Sequence, residues 1–437
     1  MYDLAVIGVG PAGLEAISIA VKNGLKVVAF EEREVGGTCL NVGCIPTKAI
    51  LHTSNLLKEI NSSSKIGINL FAGADFDWGK ILDRKMEIVN KFTKHLNSTL
   101  SKNITLVKGR AELMVNNDTI EIYAEDNIYE AKNILIATGS APIELPGLPF
   151  DGKFVVNSDD ILSMHKLPKR VAIVGSGAIG LEWAKILSDL GCSVKVIEKA
   201  PVLAPNLDIE LSKRIERILK QGNIEFYKND YITIVSNDLV TLNSGVAFDT
   251  DCIFVAVGRR PVVPRMLIGG CAEEFKLKPE FDGTTDFDNI YVVGDATGGL
   301  MLAHAASYQA RQIMKKILSK DEAPNKLIPS VIYVTPEIAS IGLREQDVEG
   351  LEGYKIKKIM VSSIAKSWCD NANEGFVKVI LKDDLIVGAH VVGREASILI
   401  SIFSILIDKK ITVDEIEDMV FPHPSYAEAV LEVIKSA

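Results

Sequence analysis

The stretch DLAVIGVGPAGLEAISIAVKNGLKVVAFE, residues 3–31, reads as five parts in a fixed order. DLAVI is a short apolar strand. GVGPAG places Gly8, Gly10 and Gly13 in G-x-G-x-x-G spacing. LEAISIAVKNG has helical periodicity, KVVAFE is a second strand, and the strand ends on Glu31. The first glycine permits a tight turn, the second lets backbone approach a pyrophosphate, and the third lets helix pack on strand. The helix N-terminus then faces the phosphates, and the acid is placed to accept ribose hydroxyls.

The same plan returns at RVAIVGSGAIGLEWAKILSDLGCSVKVIE (170–198), with Gly175, Gly177, Gly180 and Glu198. Each copy has 23 residues from first glycine to acid. Later parts repeat too: NILIATGS (133–140) and CIFVAVGRRP (252–261) are apolar strands ending in a glycine turn. The chain therefore reads as an internal duplication with two dinucleotide sites. A carboxylate at each ribose position disfavours a 2′-phosphate, so NAD is expected over NADP at the second site, with Lys199 the one softening feature.

A third strand-to-glycine turn, NIYVVGDATGG (289–299), carries Asp295, and LMLAHAASYQARQIMKKIL after it reads as a helix. From residue 328 the pattern changes to β-branched alternation, which predicts antiparallel strands, followed by two helical segments, one from about Ala396 and one opened by TVDEIEDM. WGKILDRKMEIVNKFTKHLNSTLSK predicts a helix, NITLVKGRAELMVNNDTIEIYAED hairpin strands, and KDEAPNKLIP (320–329) a linker. The fold class is thus α/β: two Rossmann-like dinucleotide-binding domains and a C-terminal α+β dimerisation domain. The expected divisions are 1–146, 147–262, a central segment 263–327 completing the first site, and 328–437.

At 437 residues the chain is too long for one core. A net charge of −9 without a basic cluster argues against nucleic acid. No apolar run reaches the length of a membrane span; ASILISIFSILI (396–407) is too short and reads as a buried interface helix. With no leader legible at MYDLAVIGVG, a reducing cytoplasm is the expected location.

GGTCLNVGCIPTK (36–48) holds Cys39 and Cys44 directly after the first nucleotide unit. A structural zinc site wants four ligands in tighter pairs, and the other four cysteines are scattered singly, so no metal is expected. Two buried small residues is the plainer alternative. The redox reading fits best: Gly43 loosens the backbone between the thiols, and a helix beginning near Cys44 would favour a thiolate. Nicotinamide moves hydride and a flavin can exchange electrons with a thiolate, so FAD is expected at the first site and NAD at the second.

GGTCLNVGCIPTK, the paired glycine motifs, GDATGGLMLAHAA and HPSYAE (423–428) together resemble the flavin-dependent pyridine nucleotide–disulfide oxidoreductases over essentially the whole chain. Within that family, Leu40, Ile45 and Thr47 make the redox block most similar to the dihydrolipoamide dehydrogenase branch. The resemblance implies Cys44 as the flavin-facing thiol and Cys39 as the interchange thiol. It implies Lys48 paired with Glu182, and His423, oriented by Glu428, as acid/base supplied across a homodimer interface. It further implies nucleotide contacts at Gly8, Gly10, Pro11, Ala12, Gly13, Glu31, Gly37, Thr38, Thr138, Gly139, Asp295, Met301, Leu302, Ala303 and His304, with Gly175, Gly177, Gly180, Glu198 and Gly258 for the second copy. The implied substrate is a small dithiol or disulfide, or a lipoyl group carried on a partner protein. Reduction of another low-molecular-weight disulfide and a non-catalytic docking subunit are the rivals. Ser425, Tyr426, Ala427 and Val334 depart from the family's usual pattern.

Overall fold

The computed structural model describes residues 1–69, 73–116, 119–268, 271–272, 283–319 and 326–436. The first unit opens with β1 (Tyr2–Ile7), α1 (Pro11–Lys22) and β2 (Val27–Glu31), then α2 (Gly37–Asn41), α3 (Cys44–Asn61) and α4 (Trp78–Asn103). β3 (Thr105–Lys108), β4 (Ala111–Asn116), β5 (Thr119–Ala124) and β6 (Asn127–Ile136) follow. β1 pairs in parallel with both β2 and β6, and β2 with β3. The parallel strands are apolar almost throughout, because helices cover both faces of such a sheet. Only β4 and β5 form the expected hairpin. β3 instead extends the parallel sheet, since TLVK follows a helix and so completes a crossover.

A two-stranded ribbon of β7 (Ser140–Pro142) leads to the second unit: β8 (Val155–Val156), α5 (Ser158–Ile161), β9 (Arg170–Val174), α6 (Ala178–Asp189), β10 (Ser193–Glu198), α7 (Ile209–Leu219) and β11 (Ile224–Lys228). An antiparallel meander of β12 (Ile232–Ser236), β13 (Leu239–Leu242) and β14 (Ala247–Asp249) precedes β15 (Cys252–Val255) and β16 (Arg259–Pro261). The parallel order here is β11-β10-β9-β15-β8. After β17 (Met266–Ile268) and β18 (Cys271–Ala272), β19 (Ile290–Val292) returns to pair with β6 in the first sheet. The first unit's parallel strands therefore run β3-β2-β1-β6-β19, the same layout as the second's.

The third unit begins after α8 (Ala303–Ile317). β20 (Ser330–Ile332), β21 (Glu337–Gly342), α9 (Glu345–Val348), β22 (Tyr354–Met360), α10 (Ala365–Cys369), β23 (Phe376–Lys382) and β24 (Leu385–Gly393) give an antiparallel sheet ordered β20-β21-β24-β23-β22. SVIYVTPEIASIGL forms two strands, β20 and β21, which pair antiparallel with Ile332 opposite Ile338. α11 (Ala396–Lys409), α12 (Val413–Glu417) and α13 (Glu428–Lys435) pack on that sheet. Most of the expected linker, residues 320–325, lies outside the described residues.

Candidate functional site

The duplication extends to individual hydrogen bonds. In the first unit Val9 N donates to Glu31 Oε2 at 2.8 Å and Arg33 N to Oε1 at 2.9 Å. In the second, Ser176 N donates to Glu198 Oε2 at 2.8 Å and Ala200 N to Oε1 at 2.7 Å. Each acid thus fastens the glycine turn to its own strand end; Glu198 Oε2 also accepts from the Ser176 hydroxyl at 2.6 Å, which leaves Oε1 as the Glu198 oxygen with a lone pair for a further donor. A Cβ on Gly13 would stand 2.1 Å from the Gly8 carbonyl oxygen, and on Gly180 2.2 Å from that of Gly175. The third glycine of each motif is therefore required by helix-to-turn contact.

The residues present fit two dinucleotides. α1, α6 and α8 begin at Gly10, Gly177 and Leu302 without a side-chain cap, whereas α4, α7 and α12 are capped by Asp77, Asp208 and Thr412. Uncapped first-turn N–H groups are free donors for a phosphate or ring carbonyl. Gly10 lies against Gly37, where a Cβ would meet Gly10 Cα at 2.8 Å, so the slot between the two loops stays open only without side chains. At Gly177 a Cβ would meet nothing within 4 Å, so that face is open. Pro11 and Ala12 form the start of α1, and Ala303 and His304 the start of α8, with Met301 just before its cap. His304 Nε2 lies 2.7 Å from the Pro329 carbonyl oxygen. Asp295 accepts from the Ser140 hydroxyl at 2.6 Å. Thr138 donates to the Val262 carbonyl, and Gly139 and Gly258 take positive φ in the two matching turns. Lys199 is exposed beside Glu198.

The thiol pair is built by two short returns. Gly36, at φ 95, donates its N–H to the Val9 carbonyl at 2.7 Å, which ties α2 and Cys39 to the first glycine turn. Gly43 then brings α3 back. Gly43 does not loosen the connection: a Cβ there would lie 2.8 Å from the Thr38 carbonyl oxygen and 3.3 Å from Cys39 Cα, so the glycine allows a close crossing. The structure holds both cysteines as free thiols. Cys44 is the first residue of an 18-residue helix.

Their acidities diverge. The Cys39 thiol donates to Cys44, and this is the main reason that the Cys44 thiol falls from 9.0 to about 7; desolvation opposes the fall and the Lys48 charge assists it. The same hydrogen bond, with burial, pushes the Cys39 thiol far upward. Lys48, one turn along α3, sits 2.7 Å from Glu182 Oε2 on α6. The other Glu182 oxygen accepts from Tyr333 N at 3.0 Å, and the Lys48 ammonium lies 4.5 Å from the Tyr333 ring centre. Residues from all three units meet within reach of Cys44.

Beside Cys39 opens a cavity of about 410 Å³ walled by Leu14, Leu40, Ile45, Phe92 and Leu96, with His95 at its rim. Phe92 and His95 went unmarked in the sequence; their only signal was the amphipathic spacing of α4. His423 lies elsewhere, on the third unit. Its Nδ1 is 2.8 Å from Glu428 Oε1, and Ser425 N donates to Glu428 Oε2 at 2.9 Å. These bonds hold the Glu428 carboxyl below its usual range, the His423 bond contributing most. The His423 side chain is 72% exposed. Among the described residues no group of three His, Cys, Asp or Glu could hold a metal, and no helix is long and apolar enough to cross a membrane.

Residues 2–310 match the model of the pyridine nucleotide-disulphide oxidoreductases, and residues 328–434 that family's dimerisation domain. A dihydrolipoyl dehydrogenase of Bacillus subtilis is 34% identical over 99% of this chain and 98% of its own length. One from Chlamydia muridarum is 32% identical over 99% and 96%. Among solved structures, LpdA from Mycobacterium tuberculosis superposes with a TM-score of 0.90 at 23% identity, covering 99% of each chain, which is a likeness of fold. Two nucleotide sites with matched acid clasps, a thiol pair between them and full-length relatives place the chain in the pyridine nucleotide-disulphide oxidoreductases.

Proposed function

We propose that the protein is an FAD-dependent dihydrolipoyl dehydrogenase, oxidising dihydrolipoamide to lipoamide with NAD⁺ as acceptor. The observation that carries the substrate is the cavity beside Cys39. Its wall is hydrocarbon, with Glu15 as its one charged member and neither Lys nor Arg among its residues. Glutathione disulfide carries several carboxylates and would call for cations there. A lipoyl arm is a neutral aliphatic chain and suits it. The full-length relatives named above support the same reading. Assaying the purified protein with dihydrolipoamide, glutathione and other small disulfides tests it. Turnover with glutathione disulfide matching that with lipoamide would refute it.

FAD, when bound at the first site, supplies the two-electron acceptor that takes electrons from the thiol pair and passes hydride to nicotinamide. The chain's own residues do the rest. In the oxidised protein a substrate thiolate attacks the sulfur of Cys39, forming a mixed disulfide and breaking the Cys39–Cys44 bond. A sulfur whose thiolate is favoured by its surroundings leaves more readily, and the Lys48 charge favours the thiolate of Cys44. Cys39 lines the cavity and is the sulfur attacked, and Cys44 is the one released. The second substrate sulfur then displaces Cys39, closing the cyclic disulfide. Of the two substrate protons, one ends on Cys39 and one on His423, whose Nδ1 is held by Glu428. The Lys48 ammonium, fixed by Glu182, stabilises the Cys44 thiolate.

We infer that His423 serves the thiol pair of a second copy. Support comes from its exposure, the matching dimerisation domain, and the outward face of α11, where Ile398 and Ile405 are 57% and 62% exposed. The divisions at 146/147, 262/263 and 327/328 are retained as our reading of the domains, with 263–327 contributing β19 and α8 to the first site.

A further inference from the structure

The two nucleotide units touch through a ribbon whose strands open at the same position of the repeat. In NILIATGS the residue after the glycine is Ser140; in CIFVAVGR it is Arg259. β7 and β16 pair antiparallel, Ser140 opposite Pro261 and Arg259 opposite Pro142. Across this ribbon Arg259 forks onto one residue: Nε donates to Ser140 Oγ at 2.8 Å and Nη2 to the Ser140 carbonyl at 2.8 Å. Its third nitrogen, Nη1, reaches Ser158 Oγ of the second unit at 3.5 Å.

The direction of the line is fixed by chemistry. A guanidinium donates and cannot accept, so the Ser140 oxygen is the acceptor there. Its single proton is then left for Asp295, whose Oδ2 it meets at 2.6 Å. The Asp295 backbone is pinned from the other side. Gly294, at φ 69, donates to Gln309 Oε1 at 2.7 Å, and a Cβ on it would lie 3.1 Å from that of Ala306 on α8.

We propose that Arg259, acting through the Ser140 hydroxyl, is a positioning residue for FAD. It orients the Asp295 carboxylate, so retention of FAD by the first unit depends on a side chain of the second. The inference rests on FAD at the first site and not on the identity of the dithiol. A rigid site binds better than the same groups left to find their orientation, so loss of the line should appear as lost affinity.

The test is FAD binding by apoprotein, followed by flavin fluorescence, in Ser140→Ala, Ser140→Thr, Arg259→Met and the double variant Ser140→Ala/Arg259→Met. NADH binding is measured alongside. Ser140→Ala and Arg259→Met should each weaken FAD at least tenfold, while Ser140→Thr, which keeps the hydroxyl, should stay within threefold. The double variant should bind FAD no worse than Ser140→Ala, because Arg259 reaches Asp295 only through that hydroxyl. NADH affinity should hold within twofold in the serine variants. Unchanged FAD affinity in Ser140→Ala would overturn the proposal. So would multiplied losses in the double variant, or equal losses for FAD and NADH, which would mean general loosening of the ribbon. If Arg259→Met does not fold, the contrast between Ser140→Ala and Ser140→Thr still decides.

Discussion

Replacing Cys39 by Ala removes the donor that contributes most to the low pKa of the Cys44 thiol. With that pKa at about 7, half of Cys44 is thiolate at pH 7. At the ordinary 9.0 only ~1% would be, a difference of about fiftyfold. A thiolate of lower pKa is also a weaker nucleophile. A Brønsted slope of about 0.4–0.5 over about two pKa units takes back roughly six- to tenfold. The net advantage at pH 7 is roughly fivefold to eightfold, and above about pH 8.3 the order reverses. The diagnostic is therefore the position of the inflection rather than the rate at one pH. The thiolate is the reactive form, so reactivity of the reduced protein should rise with pH through about 7. In Cys39→Ala the rise should move to about 9 or above, because the burial that raises the Cys44 pKa outweighs the Lys48 charge that lowers it. The assay is iodoacetamide labelling of reduced protein from pH 5.5 to 10, with each cysteine quantified by peptide mass. An inflection that stays near 7 in Cys39→Ala would refute the hydrogen-bond account.

Gly13→Ala should yield protein that cannot retain FAD, because its Cβ would have to fit 2.1 Å from the Gly8 oxygen; a yellow, active variant would show that the turn gives way. His423→Gln should slow turnover with dihydrolipoamide by roughly 10²–10⁴, the usual worth of a general acid/base, while leaving FAD binding as it was. The Ser176 and Ala200 N–H groups fix the Glu198 carboxylate at the end of β10, where it would repel a ribose 2′-phosphate, so NADH should exceed NADPH in kcat/KM. Equal efficiencies would point to Lys199 as the residue that offsets the repulsion.

The fold was legible because the duplication is periodic in sequence: glycine spacing, acid offset and apolar strands all recur, and each has one local geometric meaning. The start of α3 at Cys44 was legible for a similar local reason, a glycine before a helical run. What stayed hidden depends on pairing between distant segments. β3 reads like a hairpin strand until its parallel partner β2 is known. Tyr333 gives no local sign that its backbone donates to Glu182, 151 residues earlier. The role of Gly43 was misread because flexibility and close crossing both ask for glycine, and only the Thr38 carbonyl nearby tells them apart. Ser140 and Arg259 stand at matching positions of the repeat, a visible symmetry whose contact the sequence does not reveal.

The inferred service of His423 to the thiol pair of the opposite chain has a genetic consequence. Take one chain disabled by Cys44→Ser and another by His423→Gln, each inactive alone. When the two are co-expressed and pair at random, about half the dimers are mixed. In every mixed dimer one thiol pair is intact and faces the intact histidine of the opposite chain, while the other site carries both lesions. About a quarter of all sites are then restored from two dead alleles. Were His423 to serve its own chain, every site in every combination would keep one lesion, and the two alleles would never complement.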